Sequence, residues 1–331
     1  MNNNPMFSVI IPAYNAESTV ENCIESVEKQ GLADVEIVVV NDGSTDATGE
    51  VIKQIQKKHS NIRFVSKIQG GVASARNFGI DNSKGNFLIF LDADDELCDN
   101  ALNTLYEFCS EKKSADMIIC DSYSYTDAQD NVYTNRIFNN VNYEDLSFTE
   151  TKIMCQNLSS MCIGVFSRDF LEKNTMRVRE GISVGEDTDF LFRCILKCEK
   201  IYITQCNLFL YRYNEDSVTR NLSKKNILDL LTVCDERIND ILSNKPADID
   251  EKKALAFFAE KFIHFGIKLN RLPKEDKDEL IQFVRKRKRI TCYSNSIPDK
   301  VFCVLIHVLG VRFSCFVFDT IVKMRNSLRG G

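Results

Sequence analysis

Three aspartates, Asp92, Asp94 and Asp95, directly follow an uninterrupted apolar run, FLIFL, at residues 87–91. The run is short, rich in large side chains and preceded by a Lys-Gly-Asn turn, which predicts a buried strand. Carboxylates this close raise one another's pKa unless a cation lies beside them. Magnesium-like ions are commonly held by one or two carboxylates together with substrate phosphates. The stretch therefore predicts a site for Mg²⁺ or Mn²⁺ carrying a diphosphate.

The same acids have a structural interpretation, a strand-to-helix turn in which Asp95 or Asp99 caps the next helix. Asp-x-Asp alone is a weak signal and does not separate the two interpretations. A second acidic group, Glu186, Asp187 and Asp189, lies at the predicted start of a helix, where the macrodipole alone favours acids. Each group, taken alone, can be explained without chemistry.

Composition excludes several classes of protein. The 331 residues are 44% hydrophobic and 27% charged, as in soluble globular proteins. Residues 271–331 hold 13 Lys and Arg against 6 Asp and Glu, net +7, whereas residues 1–270 carry −12, so the two ends face different partners. Thirteen scattered cysteines and an N-terminus without signal-peptide features predict a reducing cytoplasm. Three histidines outside any motif disfavour a His triad or a zinc site.

Strands and helices alternate along the first 120 residues. Apolar strands are predicted at residues 7–11, 35–40, 62–65, 87–91 and 117–120. Strands without polar alternation, separated by helices, indicate an α/β fold with a mainly parallel sheet and helices on both faces. Such sheets bind ligands at the carboxyl ends of their strands, where the polar loops 12–15, 41–44 and 92–95 follow. No Gly-x-Gly-x-x-Gly or Gly-Lys-Ser/Thr loop is present, which disfavours a dinucleotide oxidoreductase or a P-loop enzyme.

The pattern weakens from Asp121 to about Ser160, where Tyr- and Asn-rich sequence predicts an irregular segment over the site. A late strand is predicted at 201–210, with a polar exit that runs from residues 211–214 through Ser217 and Arg220. Beyond Asn221 the chain reads as helical. We therefore predict an α/β domain at residues 1–220 and a helical C-terminal region at 221–331.

Five motifs, in order, resemble family 2 glycosyltransferases, inverting enzymes of GT-A fold that use sugar nucleotides, here of the kind that build bacterial surface polysaccharides. They are SVIIPAYN at 8–15, VVVNDGSTD at 38–46, ARNFG at 75–79, LDADD at 91–95 and GED at 185–187. The resemblance covers about residues 7–220. The chain departs from it at Asn41, where an Asp is frequent, and in having no Trp before the Glu-Asp pair. These departures leave the nucleotide base and the acceptor class open.

The resemblance implies roles for individual residues on the donor side. Pro12, Ala13, Tyr14, Asp42 and Arg76 would hold the nucleoside, with Asp42 facing the base.

On the reaction side, the resemblance implies that Asp92 faces the ribose and the metal. Ala93 belongs to the same donor-binding stretch, and Asp94 would ligate the metal at the diphosphate. Asp187 would be the general base that activates an acceptor hydroxyl. Glu186 is an alternative base candidate, as is Asp189.

The predicted activity is metal-dependent, inverting hexosyl transfer from a nucleotide-diphosphate sugar, with a UDP-sugar favoured, to a hydroxyl of a glycan or lipid-linked glycan. The alternative from another class is a non-catalytic sugar-nucleotide-binding or assembly protein, because a fold does not establish chemistry. A glycoside hydrolase is a weaker alternative, since a retaining hydrolase needs a closely spaced carboxylate pair. Dependence on a nucleotide donor separates these classes.

A basic run, RKRKR at 285–289, precedes an apolar tail at 301–318. His307, Gly310 and Arg312 interrupt the tail, so a transmembrane helix is not predicted. The tail is either an amphipathic helix on an anionic membrane surface or a helical cap packed on the domain. Nucleic-acid binding is disfavoured because no aromatic residues interleave the basic ones. The predicted location is the cytoplasm, peripheral at the inner face of the membrane under the first interpretation.

Overall fold

One nine-stranded sheet organises the described residues, 4–139, 141–214 and 222–327, of the computed structural model. The strands are β1 (Phe7–Ala13), β2 (Val35–Asn41), β3 (Ile62–Ser66), β4 (Phe87–Phe90), β5 (Glu96–Leu97), β6 (Met117–Thr126), β7 (Val132–Arg136), β8 (Gly164–Ser167) and β9 (Ile201–Tyr211). The helices are α1 (Val20–Glu28), α2 (Thr48–Gln56), α3 (Val72–Asn82), α4 (Ala101–Glu111), α5 (Phe148–Cys155), α6 (Arg168–Lys173), α7 (Glu186–Lys197), α8 (Lys224–Asn244), α9 (Glu251–Lys268), α10 (Lys274–Lys286), α11 (Ile297–Val308) and α12 (Val311–Ser327).

The N-terminal half of the sheet is parallel. Strand β1 is buried along its whole length and pairs in parallel with β2 on one side and β4 on the other. Strand β3 extends the parallel ladder beyond β2. Because β1, β2 and β4 are covered on both faces, their side chains are largely apolar without alternation. Helix α1 packs through Val20, Cys23, Ile24 and Val27, the face that its spacing predicts.

The other half of the sheet is mixed, in the order β3-β2-β1-β4-β8-β6-β9-β5, with β7 paired to β6. Strand β8 is antiparallel to both of its neighbours, β4 and β6, whereas β6 and β9 are parallel. Helices cover both sides of the sheet, so the α/β class is confirmed. The predicted parallel pairing holds around β1, and the antiparallel insertion of β8 was not foreseen because its apolar run is only a few residues long.

The prediction of an irregular segment from Asp121 to about Ser160 is wrong over much of its length. Strand β6 continues to Thr126, β7 pairs beside it, and α5 follows. The buried polar side chains of β6 have partners within the sheet. Ser124 Oγ lies 3.1 Å from Thr134 Oγ1 and accepts a hydrogen bond from Asn207 Nδ2 at 2.8 Å. Polar residues are tolerated in a buried strand when they are hydrogen-bonded in this way.

The chain divides into two compact units, Met1–Gly181 with Glu186–Glu215, and Ile182–Gly185 with Asp216–Gly331. The second contains α8 to α12, so the predicted helical C-terminal region is confirmed. Among the described residues, no helix has both the length and the apolar character needed to cross a membrane. The domain boundary at 220/221 stays a prediction, because it falls outside the described residues, as do Ser217 and Arg220 at the far end of the predicted polar exit.

Candidate active site

The loop after β1 lies beside the loop after β2. Since the two strands are parallel with Ala13 opposite Asn41, both loops leave the sheet at the same edge. The Asp42 N–H donates a hydrogen bond to the Ala13 carbonyl at 2.9 Å, which joins the two loops. Pro12 and Ala13 are buried, whereas Tyr14 is 46% exposed. Of these three predicted donor-binding residues, Tyr14 therefore offers its side chain to a ligand.

The Asp42 carboxylate is enclosed by the chain itself. It accepts hydrogen bonds from Lys67 Nζ at 2.8 Å and from the backbone N–H groups of Gly70 and Gly71 at 2.9 and 2.7 Å. Gly43 permits this approach, because its φ is +72° and a Cβ there would lie 2.8 Å from the backbone of the facing loop. A carboxylate has about four lone-pair sites. Asp42 thus retains capacity to accept one further N–H from a ligand.

A tight turn directly after β4 carries the second group of carboxylates. The Asp95 N–H donates to the Asp92 carbonyl at 2.9 Å and closes the turn. Ala93 and Asp95 are buried, whereas Asp92 and Asp94 are partly exposed. The turn therefore presents the two predicted metal ligands on its accessible side and places Asp95 inside.

The negative charge of this turn is not fully balanced by nearby cationic groups. Burial, together with the neighbouring charges of Asp92 and Asp94, raises the pKa of Asp95 to about 9. Burial and Asp92 likewise raise the pKa of Asp94. Asp95 accepts from the backbone N–H of Arg212 at 3.0 Å and Asp94 from Asn214 Nδ2 at 3.4 Å, but among the described residues no cationic side chain contacts either carboxylate. The turn favours an added cation.

Arg76 joins this turn to the acids at the start of α7. Its side chain, on α3, is only 3% exposed. Nη2 lies 2.9 Å from Asp92 Oδ1, and Nη1 lies 3.1 Å from Glu186 Oε1 and 2.5 Å from Asp187 Oδ1. Although burial alone would lower it, Asp187 and Asp92 raise the pKa of Arg76 well above its ordinary value. The guanidinium is therefore a permanent charge shared by three carboxylates.

Neighbours of Arg76 explain why α3 lies so close to the sheet. Asn77 Nδ2 donates to the Val178 carbonyl and Asn77 Oδ1 accepts from the Val178 N–H, both at 2.8 Å. A Cβ on Gly79 would lie 2.3 Å from Ile10 Cγ2, so only glycine allows the helix to pack against β1 here. The contacts of Asn77 and Gly79 thus hold α3 against the sheet and place the Arg76 side chain near the strand ends.

Glu186 and Asp187 form a coupled acidic pair on the Arg76 guanidinium. Burial and the adjacent Asp187 raise the pKa of Glu186 to about 8. Burial also raises the pKa of Asp187, although Arg76 opposes the shift. Asp189, the third base candidate, instead contacts Arg193 Nε at 2.8 Å. A carboxyl pair whose pKa values lie above the ordinary range is suited to accepting a proton near neutral pH.

The residues at the β4 turn fit a hard divalent cation. Asp92 and Asp94 offer carboxylate oxygens, the ligand type that Mg²⁺ and Mn²⁺ prefer. Burial and the charge of Asp92 raise the pKa of Asp94, and a bound cation would oppose both effects. Asp92 would use the oxygen that does not contact Arg76. Both residues could therefore hold the ion without breaking the Arg76 cluster.

Three contributors to the site were not predicted. Arg212 and Asn214 reach the β4 turn from the end of β9. They follow a strand directly, the same signal that identified the other loops, and could have been found that way. Cys162 lies with its Sγ 3.9 Å from Asp92 Oδ2, and no local pattern indicates it. The site therefore also includes residues outside the five motifs, two of which lie just after the carboxyl end of β9.

Known proteins are similar to this chain in sequence. The model of the family described as glycosyl transferase family 2 matches residues 8–172. Glycosyltransferase GlyA of Streptococcus pneumoniae is 29% identical over 253 residues, 75% of this chain but only 36% of GlyA. Glycosyltransferase GlyG of the same organism is 30% identical over 247 residues, which cover 71% of this chain and 80% of GlyG.

A solved structure shares the fold. TarS residues 1–349 of S. aureus, in complex with UDP-GlcNAc, aligns with a TM-score of 0.72 over 96% of this chain and 91% of that one, at 17% identity. At that identity the likeness shows the fold alone, and it agrees with a GT-A arrangement that includes the helical C-terminal region. With the family match and the similarity to GlyG, the chain belongs to glycosyltransferase family 2.

Proposed function

We propose that this protein transfers a sugar from a UDP-sugar to a hydroxyl group of a glycan or lipid-linked glycan, with inversion at the anomeric carbon and with Asp187 as the general base. One observation carries the proposal. The buried Arg76 guanidinium contacts both Asp92, predicted to face the ribose and the metal, and Asp187, the predicted general base. Arg76 would therefore link the residue that faces the donor to the residue that activates the acceptor. The UDP-GlcNAc complex of TarS supports a UDP-sugar donor.

In this proposal the loops after β1 and β2 bind the nucleoside. Tyr14 offers an exposed ring for a base to pack on, and Asp42 accepts an N–H from the base with its remaining lone pair. Asp92 faces the ribose, and Asp92 with Asp94 would hold the Mg²⁺ or Mn²⁺. When bound, such an ion neutralises charge that develops on the departing diphosphate.

Asp187 accepts the proton of the acceptor hydroxyl as that oxygen forms a bond to the anomeric carbon. The bond from this carbon to the diphosphate oxygen breaks, and UDP leaves with the bonding pair. Arg76 holds Asp187 in place and favours its charged form. Glu186 accepts a hydrogen bond from the same Nη1 of Arg76. In this proposal Glu186 is not the general base but a second carboxylate that could take up the proton afterwards.

Asp187→Asn tests the assignment, because a general base acts in the transition state and contributes little to donor binding. We expect transfer to fall by about 10²-fold or more, with UDP affinity in the presence of Mn²⁺ unchanged by calorimetry. Glu186→Gln is the matched control and should keep most activity. Full activity of Asp187→Asn would move the role to another residue. Donor binding by the parent protein without transfer to any glycan would favour the sugar-nucleotide-binding alternative.

We also propose that the C-terminal tail contacts an anionic membrane surface. Ile297, Val301, Val304 and Val308 recur along one side of α11, and each is at least 51% exposed. Such a stripe, with basic residues of 285–289 exposed in the same unit, is typical of helices that lie on anionic lipid. Phe302 and Ile306 of the same helix are buried. One face of α11 therefore packs on the protein while the opposite apolar face is exposed.

Liposome flotation tests this surface. The double variant Val304→Asp with Val308→Asp should lose binding to anionic vesicles, whereas Val132→Asp, which changes an exposed valine on β7, should not. Equal binding by both variants would remove α11 as the contact. Self-association that the double variant abolishes, without any lipid binding, would assign the stripe to a second copy of the chain.

A further inference from the structure

A cluster of two thiols and an imidazole lies in the C-terminal unit, with no part in the proposed transfer reaction. Cys292 Sγ and Cys303 Sγ are 3.2 Å apart, and Cys303 Sγ lies 3.9 Å from His307 Nδ1. One ligand atom from each residue lies within 4.8 Å of the other two. Three potential soft-metal ligands therefore already face one another.

The cluster is set apart from the rest of the cysteines by its exposure. Ten of the thirteen are buried, and the other three are Cys98, Cys292 and Cys303. Buried thiols pack as small apolar side chains. Two of the three accessible thiols meet each other and a histidine, which core packing does not explain.

Local structure holds the three side chains in position. Cys303 and His307 are one turn apart on α11, so they project from the same face. Cys292 comes from the 3₁₀ turn Lys288–Tyr293, where the Thr291 hydroxyl donates to the Lys288 carbonyl at 2.7 Å. The turn and the helix are joined through Ser294, whose hydroxyl donates to Asp299 at 2.9 Å. The three side chains thus come from a turn and a helix that hydrogen bonds hold in place.

The histidine has the arrangement that metal-ligating histidines commonly adopt. His307 Nδ1 lies 2.7 Å from the backbone carbonyl of Cys303. A carbonyl only accepts, so Nδ1 carries the proton in this hydrogen bond and Nε2 is left with a free lone pair. Donation from one ring nitrogen to a backbone carbonyl fixes the tautomer and makes the other nitrogen the ligand. Because Nδ1 is the nitrogen that lies near Cys303 Sγ, binding through Nε2 requires the imidazole to turn toward the two thiols.

We propose that Cys292, Cys303 and His307 bind one zinc ion, with the fourth position open to water or to an added ligand. Two thiolates and one imidazole are a ligand set that selects Zn²⁺ over Mg²⁺ or Mn²⁺. Tetrahedral Zn–S bonds of about 2.3 Å place two sulfurs about 3.8 Å apart, so the thiols must separate by roughly half an ångström. A disulfide, at about 2.05 Å, requires a larger movement in the opposite direction. This site is distinct from the oxygen site at Asp92 and Asp94.

Cobalt titration of the full-length, reduced protein tests the proposal, because Co²⁺ reports thiolate ligation by charge-transfer absorption in the near ultraviolet. We expect one equivalent of Co²⁺ to produce this band and Zn²⁺ to displace it. Cys292→Ser and Cys303→Ser should each lose the band, and His307→Ala should weaken Co²⁺ binding and change the spectrum. Cys98→Ser, which removes the remaining accessible thiol, is the matched control and should behave as the parent.

Two results would overturn the proposal. The first is a band that persists at full strength in the Cys292→Ser and Cys303→Ser variants, because the metal would then be held elsewhere. The second is reduced parent protein that gives no thiolate band with Co²⁺ while Ellman titration shows both thiols free. If mass spectrometry of protein purified without reductant shows a Cys292–Cys303 disulfide and reduced protein binds no metal, the pair is a redox couple and not a zinc site.

Discussion

Asp42 follows strand β2, and the turn that carries Asp92, Asp94 and Asp95 follows strand β4 of the same sheet. The negative charge of Asp42 is compensated by the chain, whereas that of the turn is not. Asp42 is surrounded by donors of the chain itself, Lys67 Nζ and two glycine N–H groups. In the turn after β4, burial and mutual repulsion raise the pKa of Asp94 and of Asp95, the latter to about 9. The charge of Asp42 is already balanced by donors of the chain, whereas the charge of the β4 turn is not.

The difference separates a residue that shapes a binding loop from residues that await a cation. Backbone N–H groups on a carboxylate order the segment that carries them, so Asp42 holds the 67–71 loop in place. The β4 turn instead keeps an excess of negative charge, which Arg76 relieves through its contact with Asp92 and Arg212 relieves in part at Asp95. Substitutions of the acids themselves should therefore differ in kind. A change at Asp42 should reduce stability, and a change at Asp94 should reduce cation-dependent binding.

The largest effect is expected for Arg76→Met. This change leaves three carboxylates around a buried site without their counter-charge, and removal of one partner from a buried ion pair typically costs about 3–5 kcal/mol. Lys67→Met is the comparison, since Asp42 keeps both backbone donors, and its loss should be on the order of 1.5 kcal/mol. Urea unfolding at pH 7 measures both. Equal losses would mean that the two regions are balanced alike.

Asp42→Asn should lower the free energy of unfolding by about 1–3 kcal/mol, because its amide nitrogen cannot accept from the N–H groups of Gly70 and Gly71. Thermal or urea unfolding of the ligand-free protein reports this loss. UDP affinity should fall as well, and to the same extent with and without Mn²⁺. A fall confined to the Mn²⁺ condition would place Asp42 with the metal ligands.

Asp94→Asn should leave stability nearly unchanged, and should even raise it slightly where the carboxylate is ionised, because one repelling charge is removed. Its effect is expected on the metal dependence of UDP binding, which should fall by about tenfold, or 1.4 kcal/mol. Calorimetry with Mn²⁺ and with EDTA measures the difference. Asp99→Asn, an exposed acid further along the same segment, is the control. Unchanged metal dependence in Asp94→Asn would exclude Asp94 as a ligand.

The contribution of Asp95 to stability should depend on pH. Folded protein holds the Asp95 proton up to about pH 9, whereas the unfolded chain releases it near the ordinary pKa of 3.8. The folded state therefore binds more protons between these values, and the contribution of Asp95 to the free energy of unfolding falls as pH rises from about 4 to about 9. Asp95→Asn should flatten that decline in unfolding experiments at a series of pH values.

Asp130→Asn is the control for this experiment, because Asp130 is exposed and asparagine tolerates its positive φ. A decline that is as steep in Asp95→Asn as in Asp130→Asn would assign the pH dependence to other groups.

Sequence patterns predicted the parallel half of the fold more accurately than the mixed half. Around β1, apolar strands without alternation indicate burial on both faces, and the structure agrees. In β6, buried Ser and Thr side chains mimic loop composition, because their partners on β7 and β9 are not visible in a local window. The short strand β8 was missed for a related reason, since its place between β4 and β6 depends on both neighbours.

By itself, the sequence determined the alternation of elements, the polar loops at the strand ends and the candidate acids, because periodicity and turn chemistry act over a few residues. Only the tertiary structure decided which acids share a charge. Arg76 and Glu186 are 110 positions apart and meet on one guanidinium, and Cys292 meets Cys303 although no ligand-spacing motif links them. Such contacts depend on how whole elements pack, and no local pattern encodes that packing.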